Sequence, residues 1–158
     1  MPIVLCRVDD RLVHGQVVVG WGRPLDVQRI VLVDDDVRAS EWEQELYRMA
    51  APPEMAVEFA TAREAAPKLA GWERGKERVL VLVGAIPTAL DLATLAPAVL
   101  TRLNLGGIHS GPERTERLRY LYLSEREADM LHALARAGLD ISAQDLPTSR
   151  AVPLKEIG

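Results

Sequence analysis

A short stretch near the start of the chain combines the side chains that proton and phosphoryl transfer use. Residues 9–17 read Asp-Asp-Arg-Leu-Val-His-Gly-Gln-Val, so two carboxylates, an arginine and a histidine fall within six positions. Histidine is suited to nucleophilic work near neutral pH, and a neighbouring carboxylate can fix its tautomer. Arginine offers a planar fork to a phosphoryl group. The pattern favours a nucleophilic His14 with an anion site beside it; the alternative is a surface histidine whose charged neighbours solvate a turn.

A second polar loop follows another predicted strand. Residues 104–111 read Asn-Leu-Gly-Gly-Ile-His-Ser-Gly. Paired glycines let the backbone turn with positive φ and present N–H groups to an anion. The alternative is an ordinary loop that needs glycine for its geometry. Because this loop also follows a strand, we expect it at the same sheet edge as His14.

The remaining reactive side chains favour structural roles. The lone cysteine, Cys6, lies inside a predicted strand and is most simply a small core residue. The acidic triplet 34–36 resembles a metal site or a ribose-binding acid, but no Gly-x-Gly-x-x-Gly follows the first strand. A turn and a helix start are the favoured roles of the triplet. His132 is predicted to be an ordinary helix residue, and no zinc spacing occurs. We expect no metal and no cofactor.

Alternating apolar runs and amphipathic stretches supply the elements that position these residues. Ser40, Thr61 and Ser124 each precede a helical pattern and have a glutamate three residues further on. The apolar positions of the first of these helices include Trp42, Leu46, Met49 and Ala50. Such alternation predicts an α/β fold with a mainly parallel sheet and helices on both faces. The predicted strands are 2–8, 29–33, 55–60, 79–83, 102–105, 118–123 and 139–143, and the predicted helices are 15–21, 41–51, 62–70, 87–96 and 125–137.

Composition restricts the class of protein. The chain has 158 residues, which is typical of one domain, and its net charge is −4. No basic stripe points to nucleic acid, and aromatic residues make up only 4%. No apolar run approaches the roughly 20 residues of a membrane-spanning helix, and no signal peptide opens the chain. The expected compartment is the cytoplasm.

The first motif closely resembles the active-site segment of a known family. That family is the IIB component of the mannose/fructose/sorbose group of the bacterial phosphoenolpyruvate-dependent sugar phosphotransferase system (PTS). The resemblance continues through the acidic turn and the glycine loop to the last strand, and it covers most of the chain as one domain, 1–158. The segments that carry it are residues 9–17 with Trp21, 30–35, 104–109, 138–141 and 146–147.

The resemblance implies a mechanism and a fold. His14 would be phosphorylated on Nδ1, and Arg11 would neutralise the charge of the phosphoryl group. Asp10, or alternatively Asp9, would orient the His14 ring or a neighbouring donor. The fold would be an open twisted sheet of about seven strands. The anion cradle would be completed by Gly15, Gly106, Gly107 and Ser110.

The resemblance also implies partners. A IIA protein would donate the phosphoryl group, and a sugar held by membrane IIC/IID components would accept it. The protein would then associate peripherally with the inner face of the membrane, as a monomer or a homodimer. One alternative is a regulatory phosphoprotein that uses the same histidine relay without sugar transport. Another is a binding module that retains the fold but is not phosphorylated.

Overall fold

The computed structural model describes residues 2–158, and its centre is a seven-stranded sheet. The strand order is β3-β2-β4-β1-β5-β8-β9, and every neighbouring pair is parallel except β8 and β9. Within the described residues the strands are β1 Ile3–Val8, β2 Arg29–Val33, β3 Ala56–Ala60, β4 Val79–Val83, β5 Arg102–Leu105, β6 Thr115–Leu118, β7 Leu121–Leu123, β8 Asp140–Ala143 and β9 Val152–Pro153. The predicted mainly parallel seven-stranded sheet is confirmed.

The membership of the sheet differs from the prediction at one strand. Residues 118–123 do not form a strand of the main sheet, because the chain turns back at residues 119–120. Strands β6 and β7 pair as an antiparallel hairpin, in which Leu121 and Leu123 of β7 are buried. The seventh position in the sheet belongs instead to β9. That strand is only two residues long and ends in Pro153, which an edge position tolerates.

Six α-helices lie among residues 2–158 and connect the strands. They are α1 Gly15–Val17, α2 Asp35–Arg38, α3 Glu41–Ala50, α4 Ala62–Arg74, α5 Ile86–Leu95 and α6 Glu125–Arg136. A single π-helical turn, Val18–Gly22, continues α1. The predicted capping boxes of Thr61 with Glu64 and of Ser124 with Glu127 are both present. Helix α4 runs past the predicted end at residue 70, because an interior glycine weakens a helix without ending it.

Helices cover both faces of the sheet, as predicted. The side chains of α4, α5 and α6 pack on one face, where Leu69, Leu92 and Leu131 are buried. The π-helical turn and α2 contribute Val18 and Val37 to the core of the other face. Strand β4 lies between the two cores and is buried along its whole length. Among residues 2–158, no helix is both long enough and apolar enough to cross a membrane.

Helix α3 forms where it is predicted, but its apolar positions lie on the surface. They are exposed to solvent, with Trp42 at 70%, Leu46 at 52% and Met49 at 81%. The helix contacts the core through Tyr47 and the following Ala51 instead. It lies beside the edge strand β3.

Candidate functional site

The loop after β1 is held between the ends of two neighbouring strands. The backbone N–H of Asp9 donates to the Val83 carbonyl at the end of β4, at 2.9 Å. The N–H of Asp10 donates to the Gly107 carbonyl beyond β5, also at 2.9 Å. The chain leaves β1 towards β2 on one side, whereas β5 leads to β8 on the other. Such a reversal of strand order is where open α/β sheets bind ligands.

A buried ion cluster, formed by Arg7, Asp9 and Asn104, lies beneath this loop. The side chains of Arg7 and Asp9 are fully buried, and Arg7 Nη2 lies 3.2 Å from Asp9 Oδ2. Arg7 also donates to the Asn104 amide oxygen and, at 2.8 Å, to the Gln144 carbonyl. Its guanidinium stacks over the Trp21 ring at 4.7 Å. Each buried charge therefore has several partners, as burial of ions requires.

Arg11 connects the buried ion cluster to the surface. Its Nε lies 2.9 Å from Asp9 Oδ1 and its Nη2 lies 2.7 Å from Asp9 Oδ2, so the pair is bidentate. The third guanidinium nitrogen donates to the Gln16 side-chain oxygen. The Arg11 side chain keeps 22% of its surface exposed, whereas Asp9 has none. Arg11 is thus the cation of this group that solvent can reach.

The charges in this group set one another's pKa values. Burial raises the pKa of the Asp9 carboxyl, but hydrogen bonds and charge from Arg11 and Arg7 outweigh it and leave this pKa below its usual value. The hydrogen bonds that Arg11 donates to Asp9 raise the pKa of Arg11. Burial lowers the pKa of Arg7, although Asp9 opposes the shift. Asp9 is therefore an ionised carboxylate between two cations.

Two glycines provide the space that this arrangement needs. A Cβ added to Gly106 would lie 2.5 Å from Asp9 Oδ2 and would overlap the Arg7 guanidinium. A Cβ on Gly84 would lie 2.8 Å from Leu12 Cδ2. Leu12 itself adopts a left-handed backbone conformation with φ of 58°, which is rare for a bulky residue. These close approaches fix the path of the loop that leads to His14.

His14 is exposed at the start of α1. It is the N-cap residue of that helix, and its Nδ1 accepts a hydrogen bond from the Gln16 backbone N–H at 3.2 Å. A nitrogen that accepts carries the lone pair, so the neutral ring holds its proton on Nε2. The nucleophilic electron pair therefore lies on Nδ1, beside the Gln16 residue that also binds Arg11.

Asp10 contacts a different histidine from the expected one. Its Oδ2 accepts from both the backbone N–H and Nδ1 of His109, each at 2.8 Å. The His14 ring is met by a backbone N–H and not by this carboxylate. Of the two roles predicted for Asp10, the structure thus shows contact with a neighbouring donor. Asp9, the alternative for the same role, is occupied by two arginines.

The glycine loop after β5 differs from the predicted anion cradle in its backbone conformation and its hydrogen bonds. Neither Gly106 nor Gly107 has positive φ, so that expectation was wrong. The N–H of Gly106 donates to the Val8 carbonyl at 2.7 Å and is not free for an anion. Both glycines are buried, whereas Ser110 is exposed. Gly15 is the first residue of α1, and no atom comes within 4 Å of where its Cβ would stand.

The structural roles predicted elsewhere are confirmed. Asp34 caps α2 by accepting from the Val37 N–H at 3.0 Å. Cys6 is buried in the core. Burial raises the pKa of its thiol to about 12. His132 lies within α6.

Three residues of the site were missed from the sequence: Arg7, Gln16 and His109. Arg7 carried a readable signal, because residues two apart in a strand share a face and Asp9 stands two positions on. A charge within a buried strand requires such a partner. Gln16 and His109 gave no comparable signal, since their partners depend on how two loops meet.

The nearest sizeable cleft is separate from the histidines. It has a volume of about 550 Å³ and is lined by Leu5, Trp21, Asn104 and Ser142, among others, on the sheet face that lacks a helix beside β5. His14 and Asp10 are not among its lining residues. His14 is therefore presented on an open surface, which a second macromolecule can approach.

The fold and the site define a class of protein: an α/β domain with an exposed histidine at the switch point of its sheet. Residues 3–157 match the family model of the PTS system sorbose subfamily IIB component. The PTS system sorbose-specific EIIB component of Klebsiella pneumoniae is 28% identical over 96% of this chain and 92% of its own length. The crystal structure of the IIBSor domain of the sorbose permease from the same organism superposes with a TM-score of 0.89 at 28% identity, covering 99% of this chain and 96% of the other.

The chain belongs to the sorbose subfamily of PTS IIB components. It is a phosphocarrier in sugar phosphotransfer, and it is a phosphotransferase. The mannose-specific EIIAB component of Escherichia coli is 26% identical over 99% of this chain, which spans 48% of that longer relative. These relatives are named as sugar-specific components, so the regulatory alternative finds no support in them. In this family, IIB components work with IIA proteins and with membrane IIC/IID partners.

Proposed function

We propose that His14 is the residue that carries the phosphoryl group. The observation that carries the proposal is the hydrogen bond from Gln16 N–H, which leaves the lone pair of an exposed imidazole on Nδ1. Attack by Nδ1 on the phosphorus of a IIA phosphohistidine forms one N–P bond as the donor N–P bond breaks. The donor nitrogen recovers its electron pair, and His14 keeps its proton on Nε2. No other group need gain or lose a proton in this step.

Arg11 is the cation of the proposed phosphoryl site. Asp9 orients its guanidinium. The guanidinium also contacts the side chain of Gln16, whose backbone N–H contacts His14. A phosphoryl group that passes between nitrogens carries its charge on peripheral oxygens, so positioning and electrostatic stabilisation do most of the work. The loop 106–110 lies beside Arg11, since a Cβ on Gly107 would stand 3.5 Å from Arg11 Nε, and Ser110 of this loop is exposed.

Cys6 is not the nucleophile of this proposal. Thiolates are the reactive form of cysteine, and burial holds this thiol protonated, with a pKa of about 12.

The second half-reaction then uses His14 as the donor. A sugar hydroxyl held by the membrane IIC/IID partners attacks phosphorus, the N–P bond breaks, and the hydroxyl proton is released. A cytoplasmic domain of residues 1–158 that docks on the membrane only during transfer suits this sequence of steps.

Phosphorylation from phosphoenolpyruvate tests the proposal. We expect the general phosphotransferase proteins and a cognate IIA to label this protein at one acid-labile, base-stable position. His14→Ala should abolish the label, and the control His132→Ala should keep it, because His132 lies on α6 away from the site. Arg11→Lys should slow labelling, because the bidentate fork is lost. Full labelling of His14→Ala would refute the assignment, and an unchanged rate for Arg11→Lys would remove Arg11 from the site.

A further inference from the structure

Hydrogen bonds to its ring and to its backbone N–H and carbonyl hold the exposed His109 in place. Its N–H and its ring Nδ1 both donate to Asp10 Oδ2 at 2.8 Å. Its carbonyl accepts from Arg114 Nη1 at 3.0 Å. Arg114 is in turn paired with Glu127, which belongs to the capping box of α6. An exposed loop residue is thereby fixed to two different parts of the fold.

The hydrogen bonds leave one ring nitrogen of His109 free for another partner. A carboxylate accepts only, so Nδ1 carries the proton and Nε2 points away from Asp10. The His109 side chain is 75% exposed, whereas that of Asp10 is 23% exposed. A doubly protonated imidazole donates from both ring nitrogens, so Nε2–H can then bind an anion.

Charged side chains surround the segment that carries the ring. Asp10 faces the ring, and its Oδ1 is buried without a hydrogen-bond partner among residues 2–158. Arg114 faces the carbonyl, and Arg11 Nε lies 3.5 Å from where a Cβ of Gly107 would stand. Two cationic side chains therefore border the segment that carries the ring.

We infer that His109 is a further residue of the phosphoryl site, where the Nε2–H of its doubly protonated ring donates to an oxygen of the phosphoryl group on His14. The inference rests on the proposed function of His14. Asp10 links the two histidines, since it binds His109 and precedes His14 by four residues in the same short loop. No bond to phosphorus forms or breaks at His109. It supplies charge and direction, and Asp10 is its positioning residue.

Chemical phosphorylation tests this role without a protein donor. Phosphoramidate would be supplied to the full chain, and the initial rate of phosphorylation at His14 would be followed by 31P NMR. His109→Asn retains a donor for Asp10 at the position of Nδ1 but lacks Nε2. We expect about a tenfold or greater loss of rate, the scale of one charged hydrogen bond. His109→Arg should recover most of the rate, because it restores a cationic donor.

The controls separate this role from a structural one. His132→Asn should keep the wild-type rate, and thermal unfolding should show that each variant is folded. A wild-type rate in His109→Asn would overturn the inference alone, and so would an equal loss in the Asn and Arg variants. If the wild-type protein takes up no phosphoryl group at His14, the proposed function fails, and this inference fails with it.

Discussion

The buried ion cluster and the two exposed histidines lie at the same edge of the sheet but are held by different means. Asp9 and Arg7 have no exposed surface, and each makes several hydrogen bonds in a medium of low dielectric constant. His14 and His109 are exposed, and their rings contact the protein through one nitrogen each. The cluster therefore determines the shape of the loop, whereas the histidine rings lie on the surface that a partner can approach. Substitutions in the two groups should consequently separate stability from phosphoryl transfer.

The largest effect on stability is expected at Asp9. Asp9→Ala leaves the buried Arg7 without its carboxylate, and breaking such a pair costs about 3–5 kcal/mol. The free energy of unfolding, measured in urea, should fall by that amount. The control Asp129→Ala removes an exposed carboxylate of α6 and should change it by less than about 0.5 kcal/mol. Equal losses in the two variants would contradict the role given to the buried ion cluster.

The same substitution predicts a dependence on pH. The pKa of Asp9 is lower in the folded protein than in the unfolded chain. Its contribution is therefore present above the unfolded pKa of about 3.9 and is lost as the pH falls through the lower folded value. The difference between wild type and Asp9→Ala should shrink below about pH 4. A difference that stayed constant into strong acid would show that the carboxylate charge is not the cause.

A matched pair of glycine substitutions should have opposite signs. Gly106→Ala forces a Cβ against Asp9 and Arg7, and we expect a loss of about 1–3 kcal/mol, as for overpacked cores. Gly71→Ala places a Cβ in open space within α4 and should stabilise the protein by up to about 1 kcal/mol. Thermal or urea unfolding of both variants measures the difference. A neutral Gly106→Ala would mean that the cluster can move aside at little cost.

The smallest change in stability is expected at the exposed histidine. His14→Ala removes only the cap of a three-residue helix, so unfolding should change by at most about 1 kcal/mol. Phosphorylation should nevertheless be lost completely. A loss of several kcal/mol would place His14 with the buried ion cluster and would end the distinction between the two groups.

Helices α3 and α6 show how far the sequence pattern extends. Both follow a serine, and in both the serine side chain accepts from the N–H three residues on. Both are amphipathic, yet Leu131 of α6 is buried whereas Leu46 of α3 is half exposed. The pattern predicts that a helix forms, because capping and periodicity are local. It does not predict which surface lies opposite, because that depends on the position of the helix in the sheet.

The site was predictable in part for the same reason. The segment 9–17 predicts a nucleophilic histidine and its arginine, since the loop after a buried strand reaches the functional edge of a parallel sheet. Asp10 was expected near His14 because the two residues are close in sequence. In the structure, the loop beyond β5 brings His109 closer to that carboxylate, with a ring nitrogen at 2.8 Å. Contacts between loops depend on strand order and register, which no local pattern specifies.

The sequence by itself determined the class of fold and the family, and it predicted the histidine that we propose as the nucleophile, His14. Strand periodicity, helix caps and a contiguous motif are all local properties. Tertiary structure alone decided three things: that Asp9 lies between two arginines, that Asp10 serves His109, and that β9 completes the sheet. The second and third depend on segments far apart in the chain, whereas the first involves residues close in sequence that the packed core buries together. Such contacts form only when the core has packed and the ends of β1 and β5 lie side by side.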